Sequence, residues 1–145
     1  MRPVRFIVLA SVLAFLFAVP SVTDAHTTHH TKKHHAACTQ SQIRHEPMVC
    51  VARLHHWTES VVQDEWDILY HESTSYRGHV NLYAVNGSCY GSGQLQGSSA
   101  VEVYESYGGD YYTVYGQLKA DANYVDGRYG SPVGGENHEL EFGWY

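Results

Sequence analysis

From Met48 onward the chain reads as a series of short extended segments in which apolar and polar positions alternate. Val80, Leu82 and Ala84 alternate with His79, Asn81 and Tyr83, and Asn86-Gly87 follows directly. That dipeptide after an alternating run is the strongest short hairpin signal. Tyr112, Val114, Gly116 and Leu118 alternate with Thr113, Tyr115, Gln117 and Lys119. Leu140, Phe142 and Trp144 alternate with Glu139, Glu141 and Gly143. Shorter extended runs fall at 48–58, 66–71, 89–95 and 101–107, separated by Gly108-Gly109-Asp110 and Asp126-Gly127. A period of two is the signature of a half-buried strand, and tyrosine and valine suit a pleated surface. Roughly seven or eight strands with regular turn signals predict an all-β fold, an antiparallel β-sandwich or small β-barrel. One window competes as helix. Thr58 is a good cap, and Val61, Val62, Glu65, Trp66 and Leu69 share one face at helical spacing.

The front of the chain reads differently. Arg2 and Arg5 precede an uncharged apolar run over residues 6–19, closed by Pro20 and the small residues around Thr23-Asp24-Ala25. This is the layout of a secretory signal peptide, and the run is shorter than the roughly 20 residues a spanning helix needs. Residues 1–25 are therefore predicted to be removed, leaving no transmembrane segment and a secreted, extracellular protein. Residues 26–46 carry no apolar period and predict a flexible, histidine-rich arm. Residues 47–145 are the predicted β-domain.

Charge narrows the partner class. The chain carries 9 basic and 15 acidic side chains, and loss of residues 1–25 changes the net from -6 to -7. A nucleic-acid binder has a basic footprint, so nucleic acid is excluded as an expected partner. With 13% aromatic and 17% charged residues, the composition is also that of a folding chain rather than a disordered one.

Three groups of residues carry candidate chemistry. His26, His29, His30, His34 and His35 lie within ten residues, and neutral imidazole is a common ligand for copper and zinc. The arm is thus a candidate copper or zinc site, the alternative being a solvated tail. Tyr104, Tyr107, Tyr111, Tyr112 and Tyr115 crowd neighbouring predicted strands. Tyrosine offers a large rigid contact with a polar tip, so an exposed sheet face of these five would suit a protein or carbohydrate ligand outside the cell. Three cysteines in an oxidising compartment predict one bridge. Cys50 and Cys89 both fall in predicted strands and are the preferred pair, with Cys38–Cys89 as the alternative.

Enzymatic signatures are weak. The groups Asp64, Glu65, Asp67 and Glu136, Glu139, Glu141 could supply paired carboxylates, but each also fits a solvated face. No Gly-Xaa-Ser-Xaa-Gly elbow, His-Glu-Xaa-Xaa-His helix or phosphate-binding glycine loop is present. The sequence therefore points to a small secreted binding protein acting through its tyrosine face. A metal-binding protein is the alternative, and a small enzyme the next.

Overall fold

A computed structural model of the chain describes residues 37–143. It corrects the all-β expectation. Six helices and one small sheet make up these residues: α1 (Gln40–His45), α2 (Pro47–His55), α3 (Glu59–Ser73), β1 (Val85–Asn86), β2 (Cys89–Tyr90), β3 (Leu95–Gln96), α4 (Ala100–Ser106), α5 (Val114–Tyr129) and α6 (Pro132–Phe142). Each strand is two residues long, so neither a sandwich nor a barrel is possible.

The helices start where the sequence supplies caps. Thr39 and Gln42 form a reciprocal capping box at α1. The hydroxyls of Thr58, Ser99, Thr113 and Ser131 accept from the backbone N–H groups of Val61, Glu102, Gly116 and Gly134. Each satisfies a donor that a helix N-terminus otherwise leaves open. Pro47 and Pro132 occupy first-turn positions, where a missing N–H costs nothing. Left-handed residues stop the chain afterwards, at His56, Thr74, Gly130 and Gly143.

The alternating runs were misleading because a five-residue stretch of period two also contains an i, i+4 pair. In α5 the buried set includes Leu118, Asp121, Ala122 and Val125, which is helical spacing. In α6 the alternating apolar residues do not form a core at all: Leu140 is 75% exposed and Phe142 54% exposed. The competing helix at Thr58 is real and runs on to Ser73. The Asn86-Gly87 turn also forms, joining β1 to β2 with Asn86 opposite Cys89, and β2 pairs antiparallel with β3.

Two apolar clusters meet on α5. Met48, Val51 and Ala52 of α2, Val62, Trp66 and Leu69 of α3, and Leu118 and Ala122 of α5 form the first. Leu95, Val103, Tyr104 and Ala120 form the second. Gly91 lets the loop after β2 approach this core. Its φ is +73°, and a Cβ there would lie 2.6 Å from Gln117 Oε1 and 2.7 Å from Tyr104 Cζ. Ser92, next in the chain, is carried inside as a result.

The last part of the span read as an arm is helical. Residues from Thr39 are capped helix, and Cys38 is bonded to Cys50 with a Cα–Cα distance of 5.8 Å. That separation is ordinary for a disulfide. This corrects the expected Cys50–Cys89 pair. The short α1 turns the chain back so that Cys38 reaches α2, while the hairpin places Cys89 in β2, where it stays a free thiol.

Candidate functional site

A groove of about 500 Å³ is built by α2, α3 and the segment around residue 78. Met48, Ala52, Val62 and Trp66 form its floor, with Trp57 and Val80 as walls. Two helices create it. α2 turns its Met48–Ala52 face toward α3, and the left-handed His56 then swings Trp57 across the end. Arg53, Arg77, His45 and His56 stand on the rim together with Glu46 and Glu59. Arg77 is paired with Glu59 at 2.6 Å. Arg53 instead donates to Cys38 Sγ at 3.6 Å and has no carboxylate partner among the described residues. A volume in the roughly 300–1,000 Å³ range with an apolar lining and a few polar groups is the usual form of a small-molecule site.

Beneath this groove lies a cluster of ionisable groups. His55 Nδ1 and Asp126 Oδ2 are 2.5 Å apart, linking α2 to α5. Glu65 of α3 is fully buried, and neither of its oxygens has a hydrogen-bond partner among the described residues. Burial, with Asp121 and Asp126 as charged neighbours, holds the Glu65 carboxyl well above the usual range. Asp121 is also fully buried and accepts from Ser92 Oγ at 2.5 Å. Its burial outweighs that bond and raises its pKa from 3.8 to about 7. Tyr104, whose hydroxyl donates to Tyr90 O at 2.9 Å, is pushed far up by burial and by Asp121. Gln117 completes the polar interior by accepting from Ser92 N and donating to the Leu82 and Tyr111 carbonyls. The groups closest to the core are therefore proton-holding acids.

A second, more polar concavity of about 370 Å³ is lined by Glu72, Cys89, Gln94, Tyr107, Tyr124 and Arg128, among others. Burial and the nearby Glu139 raise Glu72 from 4.5 to about 7.

No sheet face carries the five tyrosines, but the Tyr104, Tyr111 and Tyr112 rings touch in series at 5.5 and 5.4 Å, and Tyr107 packs on the same core cluster. Tyr104 is buried. Tyr107 is half-buried edge-on to Tyr124, and Tyr115 packs on the α2–α3 core. Tyr111 is half-buried, and only Tyr112 of the set stands well out, at 65% exposed. His26, His29, His30, His34 and His35 lie outside the described residues. Among the described residues no group of three or more His, Cys, Asp or Glu side chains is placed to hold a metal ion. No helix there is long and apolar enough to cross a membrane.

The groove residues were not read as a site from sequence. Val62, Trp66 and Glu65 were visible on one helical face, but Met48, Val49 and Ala52 passed as strand. Asp126 reads from the sequence as part of an Asp126-Gly127 turn, although it lies in α5 together with Asp121. No family model matches the chain, and neither the curated proteins nor the solved structures contain a match.

Proposed function

We propose that the chain is a small secreted binding protein, without catalysis of its own, that holds an apolar small molecule with an acidic head group. The apolar groove between α2 and α3 carries this reading. Its two tryptophans and aliphatic floor suit a hydrocarbon or aromatic body. Arg53 on the rim, free of carboxylate partners among the described residues, suits the acid. The buried acids Glu65 and Asp121 are not among the residues that line the groove, which favours retention of a ligand over chemistry on it. The Cys38–Cys50 bond agrees with an oxidising, extracellular destination.

Titration of the protein with dodecanoate, and separately with the uncharged dye N-phenyl-1-naphthylamine, tests the proposal. Both should bind saturably. Arg53→Gln should weaken dodecanoate about tenfold, the value of one charge-assisted hydrogen bond, and change the dye by less than about twofold. Val49→Glu, which puts a carboxylate on an exposed groove position, should weaken both. Absence of saturable binding by either probe would overturn the assignment.

A further inference from the structure

Every element that forms the groove floor also carries one member of the buried ionisable cluster. Val62 and Trp66 flank Glu65 on α3. Met48, Ala52 and Arg53 share α2 with His55. The His55 ring lies 4.9 Å from the Trp57 ring, which is a groove wall. α5, which packs behind both helices through Leu118 and Ala122, supplies Asp121 and Asp126. We propose that ligand binding in the α2–α3 groove is linked to protons held by the buried pair Glu65 and Asp121, so that the groove binds more tightly in acid than in mildly alkaline solution. This rests on the groove reading above and adds regulation to it.

The physical argument starts from Glu65. The charged groups that face its carboxyl are Asp121 and Asp126 on α5, both acids, with His55 of α2 reached through Asp126. Asp121 also faces Glu72 of α3, a further acid, and the neutral Ser92 and Tyr104 hydroxyls. On the α6 side, α3 meets more acid: Glu136 lies near Asp64 and Asp67, and Glu139 near Glu72 and His71. While Glu65 and Asp121 hold protons, α3 and α5 pack as nearly neutral surfaces. Loss of those protons places like charges in a low-dielectric interface, where repulsion is strongest. Relief requires α3 to move from α5 or water to enter between them. Either displaces Val62 and Trp66, which are the groove floor. By linkage, a ligand that needs the closed floor raises the proton affinity of the pair, and protons raise its affinity in turn.

An acidic ligand would also respond to the charges on the groove rim, where Arg53, Arg77, Glu46 and Glu59 stand. The test therefore uses the uncharged N-phenyl-1-naphthylamine, monitored by fluorescence from about pH 5 to about pH 8, with near-ultraviolet circular dichroism at each point to confirm the fold. The wild-type chain should lose affinity about tenfold or more across that window, the scale of an ordinary coupling energy. Glu65→Gln cannot ionise and should bind at the acid-limit affinity throughout, and Asp121→Asn should at least halve the logarithmic slope. If one variant does not fold, the other decides. A flat wild-type profile, or an unchanged slope in a folded variant, overturns the proton link. If Val49→Glu leaves dye binding unchanged, the groove assignment fails instead, so the two failures are distinguishable.

Discussion

At Glu65 a carboxyl group is enclosed between α3 and α5 with two acids for neighbours. Its protonated form is the one compatible with that position, so Gln is close to isosteric with what the fold holds. Glu65→Gln should therefore raise stability near pH 8 by about 1–3 kcal/mol and change it little near pH 5, as read by urea unfolding at both pH values. A larger loss at pH 5 than at pH 8 would mean that the residue is needed ionised. Glu65 was legible as a member of the Val62–Trp66–Leu69 stripe, yet its neighbours Asp64 and Asp67 made it look like part of a solvated acidic run. Nothing in the sequence says which of three clustered acids points inward until the helix is fixed. Cysteine pairing was illegible for a similar reason: proximity of Cys38 to Cys50 depends on the six-residue α1 between them. Cys50→Ser should cost about 3 kcal/mol by the chain-entropy model, and Cys89→Ser less than about 0.5 kcal/mol. Non-reducing peptide mapping should recover Cys38 and Cys50 in one linked species.

At the scale of elements, five helices announced themselves by side-chain caps that the period of two obscured. Thr113 and Ser131-Pro132 are strong start signals in hindsight, and each stands beside a run that alternates cleanly. The alternation dominates because glycine in both α5 and α6, and tyrosine in α5, weaken any helix reading. Burial decided otherwise: α5 sits at the centre of both apolar clusters, and tertiary packing outweighs its poor intrinsic propensity. A helix held chiefly by packing should be sensitive to its cap. Thr113→Ala should lower stability by about 1 kcal/mol, measured by thermal or urea unfolding. A neutral result would show that the Thr113 bond to Gly116 N is not formed in solution. The Asn86-Gly87 hairpin was fully legible, since its turn chemistry is local and needs no tertiary partner.

For the whole molecule, the direction of the pH response follows from the acids. Asp121 rises from 3.8 to about 7 and Glu72 from 4.5 to about 7, while Glu65 stands well above 4.5. A raised value in the folded state means that folding takes up protons. The stability these groups contribute is complete below about pH 4 and is lost as pH rises through about 7. For buried Asp121 alone the span corresponds to something on the order of 4 kcal/mol. The melting temperature should therefore be higher near pH 5 than near pH 8, and Asp121→Asn should flatten the difference. An acidic chain with raised-pKa acids inside, an apolar groove and a disulfide that contacts the rim residue Arg53 is organised around that groove. Nuclear magnetic resonance with uniformly ¹⁵N-labelled protein tests this most directly. On addition of dodecanoate, the indole N–H signals of Trp57 and Trp66 and the amides of Ala52 and Arg53 should shift saturably, while those of Val133 to Leu140 on α6 stay in place. Shifts confined to other elements, or none at all, would contradict the assignment of the α2–α3 groove as the binding site.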